Sequence, residues 1–153
     1  MLIASYFVKP KYQKGFTLLE IMVAVVVLAI GLLGLAGLQM TSLRFNSSAY
    51  LRSQATNLAY DMADRMRVNA NAARAGAYNS VTIQANPTCS VAPAATGTIA
   101  AQDIAAWRNA LACVLPQGTG SITATGGVFT ILVQWDDSRG QDAAQQFTMT
   151  TGL

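Results

Sequence analysis

The chain has 153 residues, 52% hydrophobic and only 11% charged, with a formal net charge of +3 and no histidine. That length holds one small domain plus an appendage, and so low a charge content keeps part of the chain out of water. The missing histidine removes Ser-His-Asp triads and His-containing metal clusters from consideration.

The positive charge sits at one end. All three lysines, Lys9, Lys11 and Lys14, precede the most apolar segment, and from Phe16 onward seven arginines face seven carboxylates. Lysines ahead of an apolar span hold that end in the cytoplasm, so everything beyond Leu38 is expected on the far side of the membrane. In an oxidising compartment the two cysteines, Cys89 and Cys113, can join.

From Phe16 to Leu38 run 23 residues with one charge. As a helix they measure about 35 Å, enough to cross a hydrocarbon core of roughly 30 Å. The run is too long for the h-region of a secretory signal peptide, which takes about 7–15 residues. Its one charge, Glu20, needs a reason, because a carboxylate inside a span costs on the order of 2.5–3.5 kcal/mol. Glu20 either lies at the interface, where it reaches headgroups, or meets a positive partner.

Gly15-Phe16-Thr17-Leu18-Leu19-Glu20, followed by this long apolar helix, resembles the class III signal of type IV prepilins. The resemblance implies that a prepilin peptidase cuts between Gly15 and Phe16, releases residues 1–15 as a leader and methylates the new Phe16 amine. Glu20 is then the fifth residue of the mature chain. Its carboxylate and the Phe16 amine of a neighbouring subunit form an opposite-charge pair that neutralises itself where the dielectric is low. Gly15 suits a scissile bond because it lets the backbone extend or turn; the plainer reading is a helix breaker before the span.

Gly31, Gly34 and Gly37 recur every third residue, which permits close helix packing and also weakens the helix. Major pilins usually carry proline where this chain has Gly37. Over 39–75 the composition turns polar while Leu51, Ala55, Leu58, Met62 and Met66 keep an apolar stripe, predicted to face the core rather than line a ligand groove. Asp61 and Arg65, four apart, read as a solvated surface pair. The helix is predicted to run unbroken from Phe16 to about Ala75 and to stop at Gly76.

The remainder, 76–153, is predicted to be an α+β domain. Tyr78 to Thr98, with Asn86-Pro87 and Ala92-Pro93, reads as irregular connection. Ala100, Ile104, Trp107, Leu111 and Val114 mark a second amphipathic helix ended by Pro116 and Gly118. Cys113 lies on it; paired with Cys89 it pins the irregular segment, and two lone cysteines make a poor metal site. Ser121 to Thr125, then Gly126-Gly127, then Phe129, Ile131, Val133 and Trp135 in alternation, and Gln146 to Thr150, predict a three-stranded antiparallel sheet. With the long helix packed on that sheet, the arrangement resembles the pilin fold.

Asp103-Ile104-Ala105-Ala106-Trp107, Leu115-Pro116-Gln117-Gly118-Thr119-Gly120 and Val133-Gln134-Trp135-Asp136-Asp137 are similar to the PilV group of minor pilins, the type IV pilus modification proteins. That likeness implies a minor pilin that joins others to initiate assembly at the inner membrane and ends near the filament tip. Its partners are then other minor and major pilins, prepilin peptidase and the inner-membrane assembly machinery. The domain starts in the periplasm and moves to the extracellular pilus. No cofactor or catalytic residue is expected.

Asp136, Asp137 and Asp142 offer oxygen ligands for calcium, but their spacing is unlike a standard calcium loop and a solvated loop is preferred. The arginines are dispersed among acids, so nucleic-acid binding has little electrostatic basis. Two other readings share the N-terminal features: a minor pseudopilin of a type II secretion system, and a membrane-anchored binding domain that never polymerises.

Overall fold

The computed structural model describes residues 15–91 and 96–153. The lysine-bearing leader and the Ala92-Pro93 turn lie outside the described residues. The chain forms two compact units, one ending at Leu43 and the other running from Arg44 to Leu153.

Helix α1 spans Leu18–Val68. The Thr17 hydroxyl accepts a hydrogen bond from the Glu20 N–H at 3.2 Å, satisfying one of the donors that a helix start leaves orphaned. Thr17 and Glu20 therefore stand in the spacing of a capping box. The helix stays continuous through Gly31, Gly34 and Gly37, where a Cβ would meet open space. Every described residue from Gly15 to Ser47 is exposed.

In the second unit α1 turns amphipathic. Ala55, Ala59, Met62, Ala63 and Met66 are buried, with Leu51 and Leu58 half-buried against the same core. Ala59 and Ala63, absent from the predicted stripe, complete it. The unbroken helix predicted to reach Ala75 is interrupted instead: α1 stops at Val68, and α2 (Ala70–Arg74) follows Asn69, whose ψ is 40°. Asparagine side chains compete with helical backbone for partners. Here the Asn69 amide donates to the Tyr78 hydroxyl at 3.1 Å.

Gly76 ends α2 as predicted, with φ at +91°. Its N–H donates to Ala73 O and the Ala77 N–H to Ala72 O, both at 2.9 Å, the pair of bonds of a Schellman motif.

Helix α3 (Ile99–Val114) is capped by the Thr98 hydroxyl, which accepts from the Ala101 N–H at 3.3 Å. Ala100, Trp107 and Leu111 are buried on one face and Ile104 packs beside them. Val114 departs from prediction and is 42% exposed, because the helix ends there and extended Leu115 fills the core position instead, 2% exposed.

The sheet is antiparallel in the order β1 (Thr119–Thr125), β2 (Val128–Trp135) and β3 (Gln145–Gly152). β1 starts earlier and β3 runs longer at both ends than predicted. Gly126 and Gly127, both with positive φ, make the two-residue hairpin turn whose twist suits the flanking strands. Phe129, Ile131, Val133 and Trp135 are buried in the predicted alternation. Val81 adds one antiparallel bridge to Ile122 on the outer edge of β1, a pairing that lone Val81 in a polar stretch did not signal.

Two glycines set how closely β1 meets α3. A Cβ on Gly118 would run into the carbonyl oxygen of Leu111, and one on Gly120 into the Trp107 ring and, at 2.8 Å, the Leu132 carbonyl oxygen.

Candidate functional site

In the first unit, Gly15 and Phe16 precede α1 in exposed, non-helical backbone. Phe16 is 81% exposed. Glu20 lies in the first turn of α1, where a carboxylate suits the positive end of the helix dipole. Among the described residues its carboxylate has neither a hydrogen bond nor a salt bridge. It shares a face with Ile21, Ala24, Val25 and Leu28.

The segment following it is long and apolar enough to cross a membrane. Leu18, Leu19, Ile30, Leu33 and Leu38 are each more than half exposed. A contiguous apolar surface of this extent is stable only when lipid or other protein covers it.

The second unit is held by polar contacts that sequence spacing did not announce. Arg65 meets Asp61 at 2.9 Å, as the four-residue spacing predicted, but also reaches Asp103 on α3 at 3.3 Å. Asp103 accepts from the Tyr78 hydroxyl at 2.6 Å. The buried Tyr78 phenol is held above its ordinary pKa, first by burial and then by donation to Asp103. Trp107 Nε1–H donates to the Leu58 carbonyl of α1 at 2.9 Å. Only an aromatic ring on the buried stripe could have hinted at that bond.

Cys89 and Cys113 form a disulfide, with Cα atoms 4.7 Å apart. Beside it the Asn109 side chain accepts from the Ser90 N–H at 2.7 Å and donates to Ser90 O at 3.0 Å. The disulfide and these two hydrogen bonds fasten the irregular segment to α3 at Cys89 and Ser90, and Arg108 adds a bond to Thr82 O at 2.9 Å.

The three candidate calcium ligands have separate engagements. Asp136 Oδ1 accepts from both the N–H and the hydroxyl of Ser138 at 2.8 Å, which holds its carboxyl below the usual range. Asp137 Oδ2 accepts from Ser48 on α1 at 2.8 Å. Asp142 contributes its backbone N–H to the Ser138 hydroxyl at 2.8 Å. Among the described residues, no group of three or more His, Cys, Asp or Glu is placed to hold a metal ion.

An apolar N-terminal helix with a lone carboxylate in its first turn, followed by an α+β unit with a three-stranded antiparallel sheet and a short helix, is the fold of a pilin. Two family models match adjoining parts of the chain: the prokaryotic N-terminal methylation motif over residues 10–36, and type IV pilin Tt1218 over residues 37–110. The chain belongs with the type IV pilin-like proteins. Neither a curated protein nor a solved structure matches it.

Type IV pilins are structural proteins, not enzymes. Interaction with other pilins and with prepilin peptidase follows from the family and its leader motif. The motif and the apolar helix fit membrane anchoring followed by incorporation into a pilus.

Proposed function

We propose that the chain is a minor pilin of a type IV pilus, of the PilV group, that enters the filament through its N-terminal helix. It takes part in starting assembly and remains near the filament tip. The observation that carries this reading is the Gly15–Phe16 bond, lying in exposed, non-helical backbone just ahead of a capped helix whose apolar first part is exposed throughout. A peptidase needs a bond free of helix, which would hide it.

Cleavage there places a methylated amine on Phe16, which pairs with Glu20 of an adjacent subunit. That pairing compensates the carboxylate in the apolar layer, where an unpaired charge is costly. The three motifs that resemble the PilV group come together in one packing arrangement, which supports the subgroup. Trp107 of the first meets Gly120 of the second, and the Asp136 N–H of the third donates to Pro116 O at 2.9 Å. The part beyond Leu38 lies in the periplasm before assembly and outside the cell afterwards.

The test is mass spectrometry of material from the native host. A chain beginning at methylated Phe16 supports the reading, and a chain that keeps residues 1–15 overturns it. In a deletion strain, loss of pili with secretion intact supports the pilus, whereas loss of secretion with pili intact assigns the chain to a type II secretion system.

A further inference from the structure

The sheet of the second unit has two edges, and they are treated differently. On β1, Ile122 donates its N–H to Val81 O at 2.9 Å and accepts the Val81 N–H at 3.1 Å, so its backbone groups point away from β2. Antiparallel pairing alternates between bonded and non-bonded partners, which fixes the direction of the remaining groups. Ser121 and Thr123 therefore bond to Leu132 and Thr130, leaving Phe129, Ile131 and Val133 of β2 to bond to Thr151, Met149 and Phe147 of β3. The backbone N–H and C=O groups of Gln146, Thr148 and Thr150 then face outward along the free edge of β3. All three residues are exposed, and among the described residues these groups have no hydrogen-bond partner.

Natural sheets blunt such an edge with lysine, proline, a bulge or a covering element. β3 has none of these: its eight residues carry no charge and no proline, and they pair one to one with β2. Phe147 and Met149 stay half-buried on the core side, with surface left for a neighbour to cover. A bare row of alternating donors and acceptors matches the backbone of another strand, which is how extended segments add to sheets.

A second copy of the chain does not fit this edge. Its β1 edge is closed by Val81. Its β3 edge, met antiparallel, would lay the two α1 helices head to tail, because α1 runs alongside β3 from the Ser48–Asp137 bond at one end of the sheet to the Arg67–Thr151 bond at the other. Chains anchored in one membrane by the same end cannot meet that way. Met in parallel, the two β3 strands would turn their apolar faces to opposite sides of the sheet.

We infer that the free edge of β3 takes up an extended strand of a different protein as the fourth strand of the sheet. β3 offers no counter-charge, so that strand is uncharged over the paired stretch. Its apolar residues cover Phe147 and Met149, and the hydroxyl or amide residues between them lie beside Gln146, Thr148 and Thr150. The inference goes beyond the role proposed for the N-terminal helix and is read on the second unit's own amides.

The full chain in phospholipid nanodiscs is titrated with a blocked peptide of alternating valine and threonine, about six residues long and flanked by a lysine at each end. Amide hydrogen exchange followed by NMR is expected to slow by about tenfold or more at Gln146, Thr148 and Thr150. Phe147 and Met149, whose N–H groups already bond to β2, change little. Thr148→Pro removes one outward N–H and leaves the β2 ladder intact, a place where edge strands accept proline. It weakens peptide binding by about tenfold or more. The same peptide N-methylated at two adjacent central residues, which blocks both of its edges, tests the backbone contact on the unaltered chain and is expected not to bind.

No binding of the parent peptide overturns the inference, as does binding that leaves the three amides unprotected. So does equal binding of the methylated peptide or to Thr148→Pro. Protection that rises with the concentration of the chain alone, with no peptide present, makes a second copy the occupant and overturns it too.

Discussion

The Tyr78 hydroxyl donates to Asp103 Oδ2 at 2.6 Å while Asp103 Oδ1 receives Arg65 at 3.3 Å, so one carboxylate on α3 holds both α1 and the chain that follows α2. Tyr78 is fully buried. Tyr78→Phe keeps the ring and removes the donor, leaving Asp103 and the Asn69 amide each short of a partner. We expect a loss of about 1–3 kcal/mol by denaturant unfolding. The phenol's raised pKa means the fold favours its protonated form. Its contribution is full below about pH 10, the ordinary tyrosine value, and fades as pH rises through the higher folded value. The gap between parent and Tyr78→Phe should therefore narrow above that pH; a constant gap contradicts the assignment.

Gly118→Ala is expected to be the most damaging single-methyl addition in the chain. The new Cβ meets a backbone carbonyl, Leu111 O, which cannot rotate away. Overpacking of this kind costs about 1–3 kcal/mol and occasionally more. Gly34→Ala, in open space on α1, serves as the control and should leave the melting temperature of the second unit unchanged.

Reduction of Cys89–Cys113 releases a loop of sequence separation 24. The chain-entropy account gives about 3 kcal/mol for a loop of this size. The Ser90–Asn109 hydrogen bonds should keep part of the segment in place, so Cys89→Ser with Asn109→Ala is expected to loosen residues 84–91 more than either change alone. Hydrogen exchange on that segment reads the difference.

Much of the fold was legible because its signals were periodic. Strand β2 announced itself by Phe129, Ile131, Val133 and Trp135 in alternation, and α3 by a stripe ending in a proline–glycine stop. What escaped had no period. The interruption at Asn69 depends on a hydroxyl nine residues on, and Arg65 reached past its four-residue partner to Asp103. Val114 fitted the helical spacing, yet the helix stopped there and the next residue took the core position. At the N-terminus the charge of Glu20 in an apolar run demanded a cause, and the roles proposed for Gly15 and Glu20 rest on the resemblance to prepilins.

Glu20→Ala is expected to leave cleavage after Gly15 intact and to abolish incorporation into the filament. The change removes one partner of the proposed pair and strands the amine of an adjacent subunit, a loss of about 3–5 kcal/mol for buried pairs. Immunoblots of sheared pili against total membranes measure it. Normal incorporation refutes the pairing.

Acid should discriminate Asp136→Asn from the parent. The Asp136 carboxyl is held below its usual range by hydrogen bonds from Ser138, so its charged form is the one the fold favours. The stabilisation is present above the ordinary carboxylate range, near pH 4, and disappears as pH falls through the lower folded value. Thermal melts of parent and variant should differ at neutral pH and converge in strong acid.

Two side-chain bonds index α3 to α1, one from the Trp107 indole to Leu58 O and one from Arg65 to Asp103. A slip by one helical turn, about 5.4 Å, would carry the bonded partners out of reach of each other. Traction applied along the part of α1 in the second unit is therefore handed to α3 at two fixed points, and through Cys113 to the strap that Cys89 anchors. Sliding of one helix on the other requires both bonds to rupture first.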